Sequence, residues 1–243
     1  MNHAQRLDAL RGAIGTPLLV SKAPNLAYLT GFTGSSGWLF VQPSGDATFV
    51  TDGRYGELAQ GLVDALPSTN LVVYTSGMWD VFRHLVSDLD GVGLESDDVT
   101  WQFAQDFGTE TGVEVTAASG AVERLRRTKD TDEGSALQSA ADAGDAAFSA
   151  LGSFVDPSLA EEALGWRLID EMRNAGGQAA GWEPIVAAGA GASIPHYRSG
   201  GNPIGSGLLL LDYGCTVEGY HSDMSRTVWL SGVAEGEMER VYR

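Results

Sequence analysis

The feature that most restricts the fold of this chain is a change of texture at Thr128. Before it, short apolar runs alternate with stretches of helical spacing. After it comes Lys129 to Ser153, alanine-rich and free of proline, with Leu137, Ala140, Ala141, Ala147, Phe148 and Leu151 near helical spacing. That stretch reads as one long helix. A switch of this kind marks a domain boundary, and 243 residues suffice for two domains at the usual ~100 to 200 residues each. The expectation is an α/β domain over residues 1–127 and an α+β domain over 128–243.

In the first part, Thr16 to Val20 reads as a short strand, and Asn25 to Leu29 leads into a glycine-rich turn, Gly31 to Gly37. Trp38 to Val41 and Ala47 to Thr51 read as a hairpin around Ser44-Gly45-Asp46. Helices at about Arg54 to Leu66 and Met78 to Leu89 are interleaved with strands near Leu71 to Tyr74 and Gly91 to Leu94. In the second part, Asp156-Pro157-Ser158 breaks the long helix. Ser158 is expected to cap another helix, Leu159 to Ala175, with Glu161 in capping-box position. Strand and loop follow: Pro184 to Ala187, a flexible Gly189 to Ser193 stretch, Leu208 to Gly214, and Tyr220 to Leu230. Helices on a largely antiparallel sheet make this half α+β.

With 32 acidic against 15 basic residues, the formal charge is −17. Nucleic acid and anionic membrane are thereby excluded as partners, because both would be repelled. The carboxylates are spread through every segment, as on a folded surface suited to a high-salt (halophilic) cytoplasm; an ordinary acidic surface is the alternative. Cys215 is the sole cysteine, so no intrachain disulfide can form. The N-terminal residues lack an apolar signal core, and no run approaches the ~20 apolar residues of a membrane helix, which makes the cytoplasm the expected location.

The sharpest chemical feature is a pair of aspartates. Asp212 ends a run of four leucines, where a carboxylate costs several kcal/mol unless something positive or donating meets it. Asp223 lies in the next strand, and the intervening Tyr213 to Ser222, with Gly214 and Gly219, can reverse as a hairpin that sets the carboxylates side by side. Hard divalent cations would relieve their repulsion. The competing reading has Asp212 capping a turn and Asp223 paired with Arg226. His196, after a glycine-rich loop, is either a donor to a substrate or a merely exposed histidine. His221 is either a ligand or donor beside Asp223 or an ordinary packed histidine. Asp52, in Thr51-Asp52-Gly53-Arg54-Tyr55, reads as a helix cap.

These segments resemble the creatinase and proline-peptidase superfamily, which includes prolidase and Xaa-Pro aminopeptidase. The resemblance runs through Asn25 to Phe32, Thr51 to Tyr55, Arg127-Thr128-Lys129, Glu183 to Gly189, and Pro195-His196. It continues in Leu211-Asp212-Tyr213-Gly214 with Gly219-Tyr220 and Ser222 to Thr227. It implies a pita-bread α+β domain after a smaller α/β domain that helps form a homodimer. It also implies hydrolysis of Xaa-Pro bonds in proline-containing peptides by water activated at two divalent metal ions, Mn or Co. Asp212 and Asp223 would be metal ligands, Asp223 bridging both ions, and His196 the catalytic histidine that contacts substrate. The family completes its site with a downstream histidine and two glutamates. Here no histidine follows His221, and Glu235, Glu237 and Glu239 lie too near Asp223 to match. The chain is therefore expected to be an incomplete pita-bread domain with weak metal binding and no full hydroxide-generating site. Two alternatives share the scaffold. One is a non-catalytic binding or dimerisation module. The other is a creatinase-like C–N hydrolase, which the paired aspartates argue against.

Overall fold

Alternation along the first strands decides how the N-terminal part is layered. Leu18, Val20, Leu39 and Val41 join one core cluster, while Leu19 and Phe40 join another, as period-two strands do when both faces of a sheet are covered. The computed structural model describes residues 2–230 and 236–242. They divide into two units, Met1–Thr128 and Lys129–Arg243. Among the described residues no helix is long and apolar enough to cross a membrane.

The first unit runs α1 (His3–Ala13), β1 (Leu18–Val20), α2 (Ala23–Thr30), β2 (Gly37–Val41), β3 (Ala47–Asp52), α3 (Gly56–Val63), β4 (Thr69–Tyr74), α4 (Met78–Leu85), β5 (Gly91–Leu94), α5 (Trp101–Thr111), β6 (Glu114–Ala117) and α6 (Ala121–Arg126). Its strands form one mixed sheet in the order β4-β3-β2-β1-β5-β6, antiparallel through β1, β2 and β3 and parallel toward both edges. Helix α2 is bounded by Pro24 in its first turn and by Gly31 at φ 78°, a left-handed stop.

Asn25, fully buried on α2, ties this unit together. Its amide donates to Glu95 Oε1 at 2.6 Å and Glu123 Oε1 at 2.8 Å, and its carbonyl oxygen accepts from Arg126 at 2.8 Å. The other oxygen of Glu95 accepts the backbone N–H groups of Ser21 and Lys22, each at 2.7 Å, and Lys22 Nζ reaches Glu123 at 3.1 Å. Burial pushes the Glu95 carboxyl up, against these donors. On Glu123 burial also pushes up, but the donors from Asn25 and Lys22 prevail and its carboxyl is held below the ordinary range.

The second unit contains α7 (Thr131–Ala150), α8 (Glu161–Asn174), β7 (Ala179–Ala180), β8 (Ile185–Ala188), β9 (Gly207–Tyr213), β10 (Cys215–Val217), β11 (Tyr220–His221), β12 (Met224–Leu230) and α9 (Glu237–Tyr242). Its strands make two antiparallel three-stranded sheets, β11-β10-β7 and β12-β9-β8. Helix α7 opens with a reciprocal capping box between Asp130 and Glu133. Small residues line its buried side, and at Gly144 an added Cβ would meet Met224 at 2.9 Å, so the sheet packs directly on helix backbone. The core joins Leu164, Leu168 and Met172 of α8 to Val186, Leu209, Leu211 and Tyr213 of the sheet.

Two local expectations are corrected. Asp52 does not cap α3, whose N-cap Tyr55 makes no side-chain bond. Asp52 instead accepts from the backbone and the guanidinium of Arg54, at 2.7 to 3.0 Å, which holds its carboxyl far below the usual range. Ser158 does not cap α8 either, because its hydroxyl and N–H both go to Asp156. Helix α8 starts at Glu161, and its first N–H groups are met by the carbonyls of Asn202 and Gly200. The Gly189–Ser193 stretch is a 3₁₀ turn.

Candidate metal centre

The path from Asp212 to Asp223 is one continuous hairpin. Strands β9 and β12 pair from Gly207↔Leu230 to Tyr213↔Met224, and β10 and β11 continue the same register with Thr216↔His221 and Val217↔Tyr220. The reversal is the two-residue turn Glu218-Gly219, at φ 50° and 80°, and positive φ at both positions is what a tight hairpin turn demands. Glycine meets that demand readily. Glu218 adopts it with its N–H donated to Gln178 Oε1 at 2.8 Å.

Parity along this hairpin separates core from site. Leu209, Leu211 and Tyr213 are buried on one face, so Asp212 projects from the other, across from Ser225 on β12 and Ile185 on β8. The shared register puts Asp223 across from Gly214 and on the same face as Asp212. The two aspartates are thus diagonal neighbours of an antiparallel pair, a relation that spans about 7–8 Å in backbone terms and less between side chains.

The sequence expectation put Asp223 inside a strand. The structure puts it at a break between β11 and β12. Ser222 causes the break. Its N–H donates to Cys215 O at 2.9 Å, but the return bond from Cys215 N goes to the Ser222 hydroxyl at 3.1 Å instead of the carbonyl. The displaced Ser222 carbonyl lies so close to Gly214 that a Cβ there would sit 2.2 Å from it, and 2.5 Å from the Trp182 ring. Only glycine fits.

Burial raises the Asp212 carboxyl and the charge of Asp223 raises it further, while His196 and a hydrogen bond from Ser225 oppose the rise. Asp223 is exposed. No lysine or arginine pairs with either carboxylate among the described residues. Arg226 lies on the opposite parity and donates to Asp145 at 2.8 Å while covering the Phe148 ring, so an Asp223–Arg226 pair is not formed. Two close carboxylates without a cationic side chain suit a hard divalent cation in charge and donor type.

His196 sits on the exposed loop after β8, at φ 52°, and is one of the two groups that oppose the rise of the Asp212 carboxyl. That loop is fastened by a residue whose role the sequence conceals. Glu161, 1% exposed, accepts from Ala188 N at 3.0 Å, Tyr197 Oη at 2.9 Å and Gly200 N at 3.3 Å. His221 is exposed, not packed, with Nδ1 2.8 Å from Thr216 Oγ1. Glu235 lies outside the described residues. Glu237, on α9, is ion-paired with Arg240. Among the described residues no group of three or more His, Cys, Asp or Glu side chains is gathered as a metal cluster.

Comparison with known proteins bears on this arrangement. The profile of metallopeptidase family M24 matches residues 135–243, and that of the creatinase/prolidase N-terminal domain matches residues 9–128. An uncharacterized peptidase of Bacillus subtilis, YqhT, is 31% identical over 247 residues, covering 98% of this chain and 68% of the relative. A putative Xaa-Pro aminopeptidase of Mycoplasma pneumoniae is 28% identical over 216 residues, covering 86% of this chain and 58% of the relative. The solved structure of an Xaa-Pro dipeptidase from Bacillus anthracis superposes with a TM-score of 0.92 at 28% identity, over 99% of this chain and 68% of that one. The chain thus spans between 58% and 68% of the length of these relatives.

Proposed function

The chain belongs to the M24 metallopeptidases that carry a creatinase/prolidase N-terminal domain, and from that premise we propose that it hydrolyses Xaa-Pro peptide bonds with two divalent cations, of the Mn or Co type, held in part by Asp212 and Asp223. The observation that supports this reading is the pair itself: two carboxylates on one face of the β9–β12 hairpin, with Asp212 raised by burial and by Asp223, and with no lysine or arginine paired to either among the described residues.

In this proposal Asp212 and Asp223 would together hold the cations, with Asp223 the more exposed of the two carboxylates. Ser225 steadies Asp212 by its hydrogen bond. Bound cations of this kind supply the positive charge that lets water be deprotonated near neutral pH. His196 meets the carbonyl or carboxylate of the peptide from the loop side and orients it for attack. The remaining ligands implied by the family resemblance, a histidine and two glutamates, have no counterpart gathered at this site among the described residues.

The test uses the protein purified from its own cells. Cleavage of Leu-Pro and of a longer Xaa-Pro peptide is expected only with Mn²⁺ or Co²⁺, to stop with a chelator, and to be lost in Asp212→Asn and Asp223→Asn. A folded sample that turns over neither substrate with any divalent ion would contradict the proposal.

A further inference from the structure

We propose that Glu161 is a positioning residue, whose buried carboxylate grips both ends of the 188–200 loop and so presents His196 to the aspartate pair. The inference rests on the role proposed for His196, but its geometry stands alone. Glu161 opens helix α8, where the usual work of an acidic side chain is to meet the helix's own N–H groups. Here that work is done elsewhere: the N–H of Glu161 goes to Asn202 O at 2.9 Å and that of Glu162 to Gly200 O at 3.1 Å. The side chain is thereby released, and all three of its hydrogen bonds go to the loop.

Each bond has a distinct place. Ala188 N is the last residue of β8, where the loop departs. Tyr197 follows His196 directly, so its hydroxyl fixes the backbone at the histidine. Gly200 N marks the return toward β9. Ser199 adds a further tie, accepting from Val186 N at 2.7 Å and donating to Val186 O at 3.0 Å. His196 itself is exposed and held at φ 52°, a conformation that is strained for a non-glycine residue and persists only where its surroundings impose it. In this proposal Tyr197, held by Glu161, supplies that constraint beside the Ser199 ties. Gly191, whose added Cβ would meet the Tyr197 ring at 3.0 Å, leaves the room that the tyrosine needs.

The test reads the loop directly, without metal or peptide. In the full chain, the Hε1 resonance of His196, assigned with His196→Ala, is expected to move when Asp212→Asn removes the charge at Asp212. In a Glu161→Ala background that response should be lost. Tyr197→Phe, which removes one hydroxyl and leaves the buried carboxylate in place, should reduce it by roughly half, so the proposal survives a Glu161→Ala protein that does not fold. Glu161→Gln, keeping one acceptor, should restore part of the response. A full response in Tyr197→Phe or Glu161→Ala, or none in the unaltered protein, would overturn the positioning role. Absence of Xaa-Pro hydrolysis alongside the expected resonances would instead defeat the proposed function and leave the positioning role standing.

Discussion

Two carboxylate clusters in this protein have opposite balances. In the N-terminal unit, Glu95 and Glu123 are met by the amide of Asn25, by Lys22 and by the backbone of residues 21 and 22, with only Glu123 Oε2 among these four oxygens left buried without a hydrogen bond. In the C-terminal unit, Asp212 and Asp223 share one face, with a serine hydrogen bond and a loop histidine opposing the rise of the Asp212 carboxyl, and no lysine or arginine paired to either among the described residues. A buried acid that is answered by donors is part of the scaffold. A close pair that meets no cationic side chain raises the energy of the fold locally, and the proposed cation would offset that cost.

The largest effect should come from breaking the first cluster. Asn25→Ala takes a donor from two glutamates and the acceptor from Arg126, and is expected to lower stability by about 3–5 kcal/mol in urea unfolding. Asp212→Asn, by relieving like-charge repulsion, should stay within about 1 kcal/mol of the unaltered protein in metal-free buffer and shift toward higher stability. Equal losses in both variants would erase the distinction.

A smaller effect follows from Glu95. Its folded carboxyl titrates above the ordinary value of 4.5 because of burial. Between those two pH values the folded state holds a proton that the unfolded state has released, so the contribution of this group to stability falls as pH rises through that window and stays lower above it. Glu95→Gln should remove this part of the slope, seen by comparing unfolding free energies of the two proteins from pH 4.5 upward. A slope unchanged by the substitution would show that the burial of Glu95 is offset.

What the sequence disclosed, and what it hid, follows the range of each interaction. The strand carrying Asp212 and the reversal toward Asp223 were readable because a leucine run and two glycines act within a few residues. The break at Ser222 was not, since it depends on a hydroxyl replacing a carbonyl across the hairpin and on contact with Gly214 and Trp182. Glu161 looked like a cap, for its partners lie 27 to 39 residues downstream. Helices α1 and α5 went unpredicted for a simpler reason: few of their residues are buried, Leu7 and Leu10 with Arg6 in the first and Phe107 in the second, and so little apolar periodicity marks them. Asn25 shows the converse, because a polar residue in the core gives no pattern at all.

The most direct test of the unanswered pair is Mn²⁺ binding by this 243-residue chain, followed by electron paramagnetic resonance at neutral pH, beside Asp212→Asn and Asp223→Asn. Each substitution removes a single charge from a net −17, so loose attraction to the acidic surface would scarcely change. A bound Mn²⁺ population weakened about tenfold or more in either variant is the expected result. Binding that is identical in all three proteins, or absent from the unaltered chain, would contradict the claim that this pair is a cation site.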